Sequence, residues 1–439
     1  MKCKYLNLNY ILMSLIGILL ILIGCSLDVN NPNSASENDV LTTPEGIIAL
    51  AIGMQEIYAT NVVHLQVFTT GVTSREIAGT TTYASVEELD DGGVTLSNAN
   101  ERLARWWSNA YKVVGMAEDL IENTPNVKMD EGTKTGIIAL AKLYKAMTIG
   151  GLAMGWEKIP LTTDKEGRAT FVPNKEAWKY AAQLLDEAIQ DINANQISDK
   201  FYEEVIASQI DLINTIHAFR ARFKLLSGDF NGAIEAANAV DPTVTSMILY
   251  DNINSSPFFT DQGNFAPRDS FAIKYPETDK NDKRISFFMK SVDSLSYGDR
   301  YPVDEWVGFY KTPTSPVPFY VPGEMTLIKA EAYLNLGDLN KAVDEINKIR
   351  TKKPDEDPYG IGADLPPYSG PVTEEALKDE IFRQRAAELF CQGVRLEDAR
   401  RLGQPGPDAN DPFARNRNYY PYPLGERENN PNTPQDPDI

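Results

Sequence analysis

Apolar residues recur at intervals of three and four over long stretches of this chain, and that spacing predicts amphipathic helices. One covers 44–60, with Pro44 near its start. A second covers 101–123. It carries Trp106, Trp107, Tyr111, Val114 and Leu120 and stops at Thr124-Pro125. A third covers 135–154. A fourth, 174–193, opens at Asn174 and sets Trp178, Ala181, Leu185, Ala188 and Ile192 on one face. The sequence shows no glycine-rich phosphate loop after a strand and no sustained strand-helix alternation, which argues against a doubly wound α/β fold.

Two later segments repeat one pattern. "AFRARFKLLSGDFNGAIEAANAV" begins at Ala218 and "LIKAEAYLNLGDLNKAVDEINKI" at Leu327. They align on Gly228-Asp229 and Gly337-Asp338. In each, glycine ends one helix by taking a backbone conformation other residues resist, and aspartate caps the next. Ala233 and Ala342 let the two helices approach. This is the helix-turn-helix unit of tetratricopeptide repeats. Ala332, Leu336, Ala342, Val343 and Ile346 are expected on the buried side of the second pair. The copies stand 109 residues apart, so a large segment is inserted between them.

Within that insertion, residues 250–323 hold 15 aromatics in 74 positions, about twice the density of the whole chain, amid many Pro, Gly, Asp, Asn and Ser. Long helical periodicity is absent. Rings among polar groups suit a recognition surface, because the face stacks while the hydroxyl or indole N–H bonds to polar neighbours. The competing reading is that the rings fasten a long loop region to the helical core. Trp306, with Tyr301 and Tyr310 beside it, is the leading ligand platform, and Asp299, Arg300 and Asp304 are the nearby hydrogen-bonding groups. The expected fold is mainly α, with tetratricopeptide-like helix pairs forming a scaffold and a large irregular aromatic-rich loop excursion.

The start of the chain changes where this fold is expected to work. Lys2 and Lys4 precede the 13-residue apolar run Ile11–Ile23, which ends in Gly24-Cys25. A membrane span needs ~20 apolar residues, so this run has signal-peptide length. The ending resembles a bacterial lipobox. Residues 1–24 are therefore expected to be a lipoprotein signal peptide, Cys25 the acylated N-terminus, and 25–43 a flexible tether. Cys3 leaves with the signal and Cys25 is lipidated, so Cys391 stands alone and no internal disulfide can form. The formal charge of −20 becomes −22 once Lys2 and Lys4 are removed. Such a surface repels phosphate backbones, so no nucleic-acid partner is expected. With two histidines, His64 and His217, and one usable cysteine, no metal site of the usual zinc kind and no cofactor is expected.

Several C-terminal motifs resemble the SusD/RagB family of surface lipoproteins of Bacteroidota. "EMTLIKAEAYLNLGDLNKAVDEINKIR" is similar to its tetratricopeptide pair. "EIFRQRAAELFCQGVRLEDARRL" resembles its Arg…Glu-Leu…Gly-x-Arg…Asp-x-x-Arg pattern through Arg385, Glu388, Leu389, Gly393, Arg395, Asp398 and Arg401, with Gln384 and Gln392 where acids are common. The tail "YPYPLGERENNPN" matches at Pro421, Pro423, Glu426, Asn430 and Pro431. The resemblance implies one SusD-like α-helical domain over 44–439, a scaffold signature rather than a ligand signature. It further implies a non-enzymatic, lipid-anchored protein of the outer membrane that faces the cell exterior. Such a protein binds an oligosaccharide or other nutrient and works with a SusC-like TonB-dependent β-barrel. Loops between the first two helices contribute contacts in such proteins, which adds Arg75 and Tyr83 to the candidate site. Asp28 is the only acidic residue between Cys25 and Glu37, so the acidic export signal of surface-exposed members is weak here. The alternatives are a glycoside hydrolase and a helical scaffold lipoprotein that binds only protein.

Overall fold

The computed structural model describes residues 37–292, 296–297, 301–408 and 410–439. The expected signal peptide, Cys25 and the expected tether as far as residue 36 lie outside the described residues. The end of the expected tether forms a short helix, α1 (Glu37–Thr42), packed on α2 (Pro44–Ile57). Thr43 caps α2 through its side chain, accepting from the Gly46 amide, and Pro44 takes the first turn, where its missing N–H costs nothing.

Helix does not stop at residue 60. A π-helical turn, Tyr58–Val62, leads directly into α3 (Val63–Thr73), and every residue of α3 after Val63 is buried. The Thr- and Val-rich run lowers intrinsic helix propensity, but burial on all sides overrides it. Next come α4 (Glu101–Asn123), capped by Asn100, and α5 (Glu131–Gly155), capped by Asp130. The Asp130 cap explains why α5 opens four residues before its apolar pattern. It is the central helix, buried almost continuously from Thr135 onward. Small residues make that possible: a Cβ on Gly150 would stand 2.2 Å from the Phe223 ring.

Helices α6 (Asn174–Ala194), α7 (Leu212–Ser227), α8 (Phe230–Asn238), α9 (Pro322–Asn335), α10 (Leu339–Thr351) and α11 (Glu374–Glu388) follow. From α4 to α11 each helix packs on the next. The two repeat pairs, α7–α8 and α9–α10, are thus neighbours in space despite their separation in sequence. Each turns on a left-handed glycine, Gly228 at φ 90° and Gly337 at φ 80°, and each second helix is capped by the following aspartate. A buried ion pair joins the two units: Arg222 on α7 donates to both oxygens of Glu324 on α9, at 2.6 and 2.7 Å. Ala332, Ala342 and Ile346 are buried as expected. Leu336 is not: it is 45% exposed, because α9 ends there and the chain turns into Gly337. Val343 is half-buried.

The excursion between the pairs is partly ordered by two-stranded antiparallel ladders. β1 (Ile77–Gly79) pairs with β5 (Phe265–Pro267), which ties it to the loop after α3. β4 (Met247–Ile248) pairs with β10 (Val317–Pro318) and closes its base. β6 (Met289–Lys290) pairs with β9 (Glu305–Trp306), and β7 (Ser296–Tyr297) with β8 (Tyr301–Pro302). β2 (Lys158–Pro160) and β3 (Phe171–Pro173) form a separate hairpin.

After α11 and α12 (Arg395–Arg401), the tail crosses back over α4 and α5. Tyr420 and Tyr422 join Trp106, Trp107, Trp156 and Phe171 in one ring cluster. The Tyr420 hydroxyl donates to the Thr69 carbonyl at 3.1 Å. The charged motif residues form buried clamps. Asp398 accepts from Arg385 and Arg401, Arg401 also donates to Glu331, and Arg284 bridges Asp282 and Glu388.

Candidate functional site

The rings of the excursion mostly face inward. Of the 15 aromatics in 250–323, nine are buried and four, Phe259, Tyr275, Phe287 and Trp306, are half-buried; the side chains of Tyr297 and Tyr301 lie outside the described residues. They form a second apolar layer against α3 and the segment after α11. Phe68 on α3 touches Phe258, Phe265, Trp306 and Tyr310, with centroids 5.1–6.2 Å apart. Fastening the excursion is therefore the main work of this aromatic density.

Trp306 sits at the edge of that layer. Its ring packs on Phe68, Tyr310 and Phe390, and its indole N–H donates to the Phe265 carbonyl at 2.7 Å. It is half-buried, so one part of the ring still reaches solvent. Tyr310 stands inside instead. It is 1% exposed, its hydroxyl donates to the Cys391 carbonyl, and burial lifts its pKa well above the usual phenol value. Arg75, expected as a ligand contact, is also enclosed. It occupies the left-handed region at φ 69°, and its guanidinium donates to the Asp90 carbonyl at 2.7 Å. Neither side chain presents a surface to a ligand, and both hold the loops behind one. Tyr301 stands on β8 in register with Tyr297. Asp299 and Arg300 lie outside the described residues, and the Asp304 carboxyl is buried and raised in pKa by that burial. Tyr83 is open: it precedes a short helix, Ala84–Asp91, and is 65% exposed.

The structure adds groups that local sequence patterns do not reveal. Arg102, in the first turn of α4, makes a two-pronged ion pair with Asp261, both distances being 2.7 Å, and stacks over Phe265 at 4.7 Å. Asn264 donates to the same carboxylate. Burial pushes the Asp261 carboxyl up, but its Arg102 and Asn264 contacts more than reverse this and leave it below the usual carboxylate range. Beneath the pair, His64 is packed edge-on against Phe258, and burial draws its pKa down to about 4. Phe265 thus lies between Arg102 and the Trp306 cluster, and the β1–β5 ladder carries the Tyr83 loop alongside, with the Thr80 amide donating to the Asn264 carbonyl. The 159 positions between Arg102 and Asp261 hide the pair from any local pattern.

A separate cleft of about 400 Å³ opens at the root of the excursion. Tyr144, Tyr250 and Phe319 form its ring floor, and Glu56, Glu203 and Asp251 stand at its rim. Among the described residues no group of three or more His, Cys, Asp and Glu is placed to hold a metal ion.

Residues 311–438 match the SusD family. No curated protein matches the chain. Solved structures match over most of its length. A SusD superfamily protein of Bacteroides vulgatus is 18% identical with a TM-score of 0.64, covering 88% of this chain and 98% of that one. A second from that organism is 14% identical with a TM-score of 0.69, covering 90% and 99%. A SusD-like carbohydrate binding protein of the same organism is 13% identical with a TM-score of 0.66, covering 83% and 84%. At these identities the structural likeness carries the fold, and the matched C-terminal segment carries the family. On those two findings, the C-terminal segment 311–438 is similar to the SusD family, and most of the chain shares the fold of SusD superfamily proteins.

Proposed function

We propose that this protein captures a glycan at the outer membrane and passes it to a SusC-like TonB-dependent β-barrel, without catalysing a reaction on it. The observation that carries the reading is the surface flanking Phe265. There a partly open indole, Trp306, bonded to the β5 carbonyl of Phe265, and an exposed phenol, Tyr83, in the loop after β1, flank the β1–β5 ladder next to the Arg102–Asp261 pair. Ring faces accept the C–H faces of a sugar, while a guanidinium and a carboxylate bond to adjacent hydroxyls. The carbohydrate-binding relative on the same fold supports that ligand class. Lipidation at Cys25, a single domain over 44–439 and an outward-facing position complete the proposal.

The experiment is calorimetric titration of the purified mature chain with a panel of neutral oligosaccharides. Tyr83→Ala leaves thermal stability unchanged and weakens binding by about 1 kcal/mol, the scale of one lost ring contact. Leu249→Lys, which places a charge in the 400 Å³ cleft, leaves binding unchanged. Loss of affinity in the cleft variant alone would move the site to the cleft. Absence of binding across the panel, with sugar release from polysaccharide, would favour the hydrolase. Capture of the barrel with no sugar binding would favour the protein-binding scaffold.

A further inference from the structure

Beyond the far end of β5, a pocket of about 190 Å³ is lined by Ala272, Lys274, Phe382, Arg383, Arg395 and Phe413, among others. Its charges run against those of the chain. Lys274, Arg383 and Arg395 face Asp379 and Asp411, three cations against two anions, in a protein of net charge −20. Arg383 is answered by Glu380 at 2.6 Å, whereas Arg395 has no such partner among the described residues. It is 4% exposed and stacks on Phe382 at 4.4 Å. Its Nε and Nη1 are buried without a hydrogen-bond partner among the described residues. Of the two acids that act on it through space, Asp398 is bonded to Arg385 and Arg401, and Glu76 accepts the Cys391 amide through Oε2 while its Oε1 has no hydrogen-bond partner among the described residues.

A guanidinium taken out of water without hydrogen-bonded anions is costly. Burial accordingly draws the Arg395 pKa down, with Glu76 and Asp398 restoring part of it through space. At the mouth, Lys274 is exposed and lies 5.2 Å from the centre of the Phe413 ring, itself 44% exposed. The pocket therefore combines a desolvated guanidinium at its wall, an ammonium at its lip and a partly exposed ring, Phe413, over which Lys274 and Arg268 both stand. We infer that this pocket binds the carboxylate of an acidic ring-bearing ligand, with Arg395 and Lys274 on the carboxylate and Phe413 under the ring. Guanidinium favours carboxylate over neutral hydroxyls because the bond is charge-assisted and two-pronged. The site stands apart from the Trp306 surface, and its occupancy does not depend on the glycan reading above.

The test is titration of the whole mature chain with glucuronate, followed by calorimetry and ligand-observed NMR, with glucose as the uncharged control. Saturable glucuronate binding, not matched by glucose and weakened by added salt, is expected. Lys274→Glu, at an exposed position, leaves the melting temperature unchanged and weakens glucuronate about fivefold or more. Arg395→Gln abolishes it. Where Arg395→Gln fails to fold, Lys274→Glu decides. Equal affinity for glucose and glucuronate would overturn the inference. So would no saturable binding at millimolar glucuronate, or binding untouched by Lys274→Glu; the last two would leave Arg395 with only the through-space attraction of Glu76 and Asp398. Tyr83→Ala, on the other surface, leaves glucuronate binding intact and so separates failure of this site from failure of the glycan surface.

Discussion

Trp306 combines a structural contact with the proposed ligand face, and the two are separable by measurement. Its ring packs against three neighbouring rings and its N–H is satisfied. Trp306→Ala is expected to cost about 3 kcal/mol in urea unfolding, at the lower end for loss of a large ring because one part is already open. A second residue-scale expectation concerns pH. Burial raises the Glu76 carboxyl to about 7, so the folded state holds its proton where the unfolded chain has released it. That stabilisation is full below about pH 4.5 and is lost as pH rises through about 7. His64 works the other way. Burial holds it neutral down to about pH 4, so its contribution is present above about 6.5 and is lost as pH falls toward about 4. The two opposing slopes flatten the wild-type profile. Glu76→Gln removes one of them, and unfolding free energies measured from pH 4.5 to 7 should then rise with pH, by an amount on the order of 3 kcal/mol.

At the scale of elements, the helix pairs depend on close approach. Ala342 is wholly buried where α10 meets its neighbours, so Ala342→Leu should cost about 1–3 kcal/mol by overpacking, measured by thermal or denaturant unfolding. The opposite pattern holds at Leu336, which is exposed, so Leu336→Ala should be nearly silent in the same assay. Much of this level was legible in the sequence. The Gly-Asp turns mark both helix junctions, whereas the Asp130 cap, which opens α5 four residues ahead of its apolar pattern, was not read from the sequence. The run from Tyr58 to Thr73 was not legible, because its helicity comes from burial against surrounding elements rather than from propensity.

For the whole molecule, the tail acts as a clasp. Tyr420 and Tyr422 complete the tryptophan cluster between α4 and α5, although more than 250 residues separate Trp156 from Pro421, whose carbonyl accepts its indole N–H. A chain truncated after Tyr419 should lose at least about 3–5 kcal/mol, the cost of one large buried ring, and should bind a hydrophobic dye. The anchor is tested at the same scale. Cys25→Ser should abolish fatty-acid labelling and move the protein from the membrane to the soluble fraction; continued labelling would place the lipid elsewhere.

The sequence alone determined what is local: helical periodicity, the caps, the paired Gly-Asp turns and the family motifs of the C-terminal segment. These are properties of neighbours in the chain, and each depends on a few dihedrals and one or two hydrogen bonds. Tertiary structure decided what depends on burial. It turned the aromatic-rich excursion largely into core, put Tyr310 and Arg75 behind the surface, and left Tyr83 in front of it. It also brought Arg102 to Asp261 and left Arg395 Nε and Nη1 without a hydrogen-bond partner among the described residues, beside Phe382. A ring or a guanidinium has the same letter whether it faces water or packing, and only the surrounding elements set which of the two it meets.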